Sequence, residues 1–199
     1  NELDALVNID FKTKKINKTK KSLNIIRLGT SGSLNKRINI DSFLVSEYAI
    51  GFDGLAHYYN NDEILDKKLH DKFIEYTNWD RRHSKPYALK CSDILLNKFN
   101  DLEKGITLTA TGFYGPQSRE LRLKSTIKDL NKIIDGFIYK NQEITNFEME
   151  TSALYFLARC LGHNCLTVCA ILGNRLKKEQ SKKAIKTIDK LIDIVLEKL

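Results

Sequence analysis

Three observations in the sequence predict an α/β fold. Short apolar runs of strand character alternate along the chain with longer segments whose apolar residues recur at helical spacing. Several of these runs empty into turns of small residues, among them Gly29-Thr30-Ser31-Gly32-Ser33 and the stretch around Gly112, Gly115 and Pro116. The stretch from Ile144 to Leu154 passes directly from a short strand into an amphipathic helix, with Gly162 placed to close it. With 199 residues, 42% hydrophobic and 29% charged, and no internal repeat or linker, residues 1–199 read as one domain with a sizeable core.

The elements follow in order. Leu3, Leu6 and Val7 lie at helical spacing, so Asn1 to Val7 reads as the end of a helix that begins upstream, and the chain as a fragment truncated at its amino terminus. Lys12 to Lys21 is expected to be a solvated loop rather than a nucleic-acid arm. Leu23 to Leu28 is a predicted strand, followed by the Gly29–Ser33 turn. Ser42 to Ile50 is another strand, emptying into a turn at Asp53-Gly54, and His57 is expected at the surface or half-buried. Ile64, Leu65, Leu69, Phe73, Ile74 and Tyr76 predict a helix over Asp62 to Trp79, with Trp79 to His83 as a charged connection.

Ser92 is placed to cap a helix running through Phe99, and Gly105 to start a strand over Ile106–Thr111. Phe113 to Arg119 is a loop, and Ser125 to Ile138 a predicted helix rich in Leu and Ile. After the central strand and the helix from Thr151, Cys165 to Leu172 forms a last apolar strand. Gly173-Asn174-Arg175 turns out of it, and from Glu179 a closing helix carries Ala184, Ile188, Leu191, Val195 and Leu199 on one stripe.

The net charge of +8 suits nucleic acid, an acidic membrane or anionic substrates, but the lysines are dispersed and no aromatic pattern interleaves them, which argues against nucleic acid. Cys91, Cys160, Cys165 and Cys169 contain no CxxC pair, so buried reduced thiols are expected rather than a zinc site with His163. No apolar run is long enough to span a bilayer and no signal peptide is seen, so the reading is cytoplasmic, without membrane partner or metal.

Three constellations carry chemistry. Glu148, Met149 and Glu150 sit where strand becomes helix. A carboxylate there can accept from two vicinal hydroxyls while a thioether packs on a sugar face, and the same residues would also serve as a plain capped helix start. Arg27, Thr30 and Ser31 flank a small-residue turn that could hold phosphate by charge-assisted bonds, or form only a tight strand exit. Phe113, Gln117 and Arg119 supply a ring face, an amide that both donates and accepts, and a guanidinium, the parts of a pyrimidine reader or of a surface loop with an anchored phenylalanine.

Taken together, Arg27-Leu28-Gly29-Thr30-Ser31-Gly32, Phe113 to Arg119, Asn146 to Leu154 and Asn174-Arg175 resemble, in order, the nucleoside phosphorylase family and its uridine phosphorylase branch most closely. The resemblance covers most of the chain but not the family's first strand and its Gly-Asp-Pro-Gly-Arg-like phosphate loop. The loop here reads Tyr-Gly-Pro where the family has Tyr-Pro-Gly. It implies a three-layer αβα fold around a mixed, twisted sheet lacking the first strands. It implies phosphorolysis of uridine to uracil and ribose 1-phosphate, a pentosyl transfer in nucleoside salvage, with inorganic phosphate as co-substrate and no cofactor. By that resemblance Arg27 and Thr30 bind phosphate; Thr30, Glu148, Met149 and Glu150 bind ribose; Phe113, Gln117 and Arg119 bind the base; and Arg27, Glu150 and Arg119 carry catalysis. No carboxylate occupies the Gly173–Arg175 turn, where purine-specific relatives have an aspartate, so purines are disfavoured and Arg175 falls at the pyrimidine end. A homo-oligomer built on dimers is implied if the front of the family pattern is present, and the chain alone is expected to be a poor enzyme. The competing readings are a nucleosidase that uses water on the same fold and a non-catalytic nucleoside-binding protein.

Overall fold

The computed structural model describes residues 1–60 and 63–199. The first elements are a helix α1 (Glu2–Asn8) and a two-stranded hairpin, β1 (Ile9–Asp10) and β2 (Lys15–Ile16). The lysine-rich stretch is therefore partly a hairpin rather than wholly a loop. The Asp10 carboxylate accepts from the Lys12 and Thr13 amides at 2.8 and 3.2 Å, and Lys14 takes the left-handed conformation that turns the chain.

The main sheet is mixed, as expected. Its strands are β3 (Asn24–Ser33), β4 (Phe43–Gly51), β5 (Tyr87–Lys90), β6 (Glu103–Thr109), β7 (Ile138–Tyr139), β8 (Gln142–Glu148), β9 (Asn164–Asn174) and β10 (Glu179–Gln180). The order β10-β9-β3-β8-β6-β4-β5 is closed by a further pairing of β4 with β9, at Phe43–Ala170, Leu44–Cys169 and Val45–Val168. Five strands thus form a ring. Inside the sheet a chain of buried polar groups ties its strands together. The Ser46 and Thr107 hydroxyls lie 2.5 Å apart, Thr107 Oγ1 donates to Asn146 Oδ1 at 2.8 Å, and Asn146 Nδ2 donates to Ser31 Oγ at 2.7 Å. Such a network is stable only because each member has a partner.

The helices between these strands are α2 (Lys67–Thr77), α3 (Asp93–Leu96), α4 (Leu130–Ile134), α5 (Thr151–Cys160) and α6 (Ala184–Glu197). They bury two separate apolar clusters. Leu95, Tyr155, Phe156, Leu191 and Val195 from α3, α5 and α6 meet Val45, Leu89 and Val168 in one. Leu69, Phe73, Leu130 and Ile134 from α2 and α4 meet Ile50, Ile106, Leu108 and Phe147 in the other. This is the three-layer arrangement that the family resemblance implies.

Several boundaries differ. The predicted Gly29–Ser33 turn is strand. β3 runs on to Ser33 because its parallel ladder with β9 continues through Gly29–Ser33, slipping register only between Ser31 and Gly32, where β3 also meets β8. The helix expected over Ser125–Ile138 shrinks to α4. Ser125 instead donates to the Gly115 carbonyl at 2.8 Å, Ser118 donates to Ile127 O at 2.6 Å, and left-handed Asp129 breaks the pattern. Ser92 occupies the cap position of α3, but its hydroxyl donates to Asn164 Oδ1 at 2.8 Å, and a 3₁₀ turn completes the segment to Phe99. The closing helix starts at Ala184, since Glu179–Gln180 pairs with Gly173–Asn174. α2 starts at Lys67 with the Asp66 carboxylate accepting from Leu69 N at 3.0 Å, and the predicted start at Asp62 lies outside the described residues.

Candidate active site

The carboxyl ends of β3, β8 and β9 and the loop that follows β6 enclose a cavity of ≈ 530 Å³. Arg27, Thr30, Phe113, Gln117, Arg119, Glu148, Met149 and Glu150 all line it, so residues up to 123 positions apart in sequence converge on one space. Ser31, Gly32, Phe147, Leu172, Gly173, Gln180 and Ser181 complete the wall.

At one end lies an arginine between two acids. Arg27 Nη1 is 3.4 Å from Glu148 Oε2 and 3.6 Å from Cys169 Sγ, and Nη2 pairs with the Glu150 carboxylate. Gly29 makes that fold possible, because a Cβ there would lie 2.2 Å from Arg27 Nη1. Burial disfavours the guanidinium charge, but Cys169, Glu148 and Glu150 outweigh it and hold the group above its ordinary value.

The two acids are not alike. Glu148 is 4% exposed, and its oxygens are already occupied. Thr109 Oγ1 donates to it at 2.6 Å, and the Glu150 and Thr151 amides donate at 2.9 Å. It is thereby the residue that satisfies the free N–H groups opening α5. Burial pushes its carboxyl up. The Glu150 side chain is 53% exposed and its only protein partner here is Arg27, among the described residues. Along β3 alternation turns Thr30 outward, whereas Ser31 faces inward, accepting from Asn146 and donating to Phe147 O at 3.1 Å. The hydroxyl of Ser31, which the sequence offered beside Thr30 for phosphate, is thus spent inside the sheet.

At the other end is the loop. Its carbonyl at Tyr114 accepts from the Gln117 and Arg119 amides at 3.0 and 2.8 Å, and left-handed Ser118 brings Arg119 back over Phe113, with Cζ 3.9 Å from the ring centroid. Arg119 Nε is buried without a hydrogen-bond partner among the described residues. Gln117 is only 2% exposed and is held by Arg175, whose Nη1 donates to the Gln117 carbonyl at 2.8 Å and whose Nη2 donates to Oε1 at 3.2 Å. Burial, with the Arg119 charge behind it, pushes Arg175 down to about 10. Sequence reasoning missed this grip, which joins residues 58 apart, and missed Gln180 and Ser181, which lay on a predicted helix.

His57 is exposed, with Nε2 2.9 Å from Lys85 O, and does not line the cavity. The Nδ1 of His163 accepts from Leu23 N at 3.1 Å and its Nε2 lies 3.1 Å from Asp4, a tie between α1 and the turn after α5. The four cysteines are free thiols. Among the described residues no helix is long and apolar enough to cross a membrane.

Residues 12–197 match the family model of the phosphorylase superfamily. The chain is 23% identical over 187 residues to a uridine phosphorylase of Haemophilus influenzae, covering 86% of this chain and 62% of that protein. It is 24% identical over 157 residues to a uridine phosphorylase of Thermococcus kodakarensis, covering 79% of this chain and 50% of that one. The chain therefore spans between half and two thirds of the length of these curated relatives. Its fold superposes with a TM-score of 0.83 on a Trypanosoma brucei nucleoside phosphorylase that shows uridine phosphorylase activity, 23% identical, covering 100% of this chain and 74% of that one.

Proposed function

Since the chain belongs to the phosphorylase superfamily, we propose that its cavity serves the phosphorolysis of uridine. Phosphate attacks the anomeric carbon as the bond to the base breaks, the electron pair of that bond leaves on uracil, and ribose 1-phosphate forms. Arg27 and Thr30 hold the phosphate, with no cofactor. Glu150 accepts from the ribose hydroxyls, Met149 packs on the sugar face, and Glu148 fixes the start of α5 from which both project. Most of the catalysis is positioning and stabilisation of the charge that moves onto the base.

The observation that supports this most is the unpartnered Nε of Arg119 beside a glutamine amide whose oxygen Arg175 already orients. A uracil edge supplies a ring N–H flanked by carbonyls. The amide accepts from the one and donates to a neighbour, and Arg119 donates to the remaining carbonyl. A uracil anion held this way leaves without a general acid. Phe113, 48% exposed, and Met149, 42% exposed, both line the cavity.

The test is release of uracil from uridine at varied phosphate. The expected result is a rate that rises with phosphate to saturation, with ribose 1-phosphate as the co-product. Release independent of phosphate identifies a hydrolase, and binding without release identifies a nucleoside-binding protein.

A further inference from the structure

The Arg27–Glu150 pair has a consequence that depends on the reading above, because it sets two proposed ligands against each other. Arg27 is the cation offered to phosphate, yet its Nη2 is taken by Glu150 and its Nη1 faces Glu148. Glu148 cannot be released, since Thr109 and two backbone amides hold it. Glu150 can. Its side chain is 53% exposed and no other protein donor binds it among the described residues. A phosphate entering alone must displace a carboxylate from the guanidinium, and a nucleoside entering alone must displace a guanidinium from the carboxylate.

We propose that the two substrates bind by partner exchange. The vicinal ribose diol takes over Glu150, Arg27 is freed for phosphate, and each substrate tightens the binding of the other. The diol matters because two O–H groups donate to one carboxylate, against the single Nη2 contact that Arg27 gives it, whereas a 2′-deoxyribose supplies one. The exchange therefore makes the sugar visible at the phosphate site: ribonucleosides promote anion binding and 2′-deoxyribonucleosides promote it less. Linkage requires the effect to be equal in both directions.

Sulfate, an anion of phosphate's shape that forms no product, allows binding to be measured without turnover. Calorimetric titration of sulfate into the chain alone, with saturating uridine, and with saturating 2′-deoxyuridine should give a sulfate Kd about tenfold lower with uridine, a coupling of ~1.4 kcal/mol, and a smaller shift with 2′-deoxyuridine. In Glu150→Gln, sulfate alone should bind more tightly than in the unaltered chain, and uridine should no longer tighten it. The second arm separates exchange from the general loss of a negative charge, which would strengthen sulfate binding but leave the uridine effect in place. Uridine binding that leaves the sulfate Kd unchanged, or coupling that persists in Glu150→Gln, overturns the exchange while leaving the functional reading intact. Absence of uridine binding in sulfate-free buffer rejects the nucleoside reading itself, and the exchange with it.

Discussion

At the junction of β8 and α5 both oxygens of a buried carboxylate, Glu148, are taken by donors of the protein itself, whereas along Phe113–Arg119 a buried guanidinium nitrogen faces no protein partner among the described residues. The first region is finished without a ligand. On the function proposed above, the second is completed by a bound base. This contrast teaches where the cavity wall is finished by the fold and where it is left open. A substitution at Glu148 is expected to act on the packing of strand, helix and arginine together, and one in the loop, on the proposed function, on what is bound.

The largest effect is expected at the finished end. Glu148→Ala leaves Thr109 Oγ1 and the Glu150 and Thr151 amides without their acceptor and Arg27 with Glu150 alone, and breaking such a buried charged set costs about 3–5 kcal/mol. Equilibrium unfolding in urea would show it as a lower midpoint. A variant as stable as the parent would mean that α5 does not depend on this carboxylate. At the open end, Arg119→Ala should leave the unfolding midpoint almost unchanged while uridine turnover falls roughly 10²-fold, the range for removing one donor to a developing negative charge. If stability and turnover fall together, the two regions are not separable.

A smaller effect probes the joint between them. Arg175 grips both the backbone carbonyl and the amide oxygen of Gln117, a two-point hold that a lysine ammonium cannot reproduce. Arg175→Lys should let the amide rotate and cost about tenfold, ~1.4 kcal/mol, in the preference for uridine over cytidine, read from the ratio of their kcat/KM values. An unaltered ratio would show that Gln117 is oriented by its own burial.

What the sequence made legible was local. The passage from strand to helix at Glu148–Thr151 and the Gly-Pro loop at Phe113–Arg119 carry their own signals, and Glu148, Met149 and Glu150 of the one and Phe113, Gln117 and Arg119 of the other line one cavity. Glycines and serines at 29–33 carried a false one, because small residues mark turns unless a neighbouring strand pairs with them, and here β9 does. Had that segment been read as strand, period-two alternation alone would have turned Thr30 out and Ser31 in. The closing of the sheet through β4 and β9, the grip of Arg175 on Gln117 and the presence of Gln180 in the wall all depend on contacts distant in sequence. No local pattern encodes them.

The central claim is that this loop reads the edge of uracil, and the most direct measurement compares kcat/KM for uridine, cytidine and inosine in saturating phosphate, for the parent chain and for Gln117→Ala. Cytosine presents an unprotonated ring nitrogen and an amino group where uracil presents an N–H and a carbonyl, so Gln117 and Arg119 would both face the wrong partner, and unpaired buried groups reject strongly. The account predicts uridine as the substrate by a wide margin, with Gln117→Ala narrowing the uridine-to-cytidine ratio mainly by slowing uridine. Inosine as the better substrate, or a ratio that Gln117→Ala leaves in place, would contradict it.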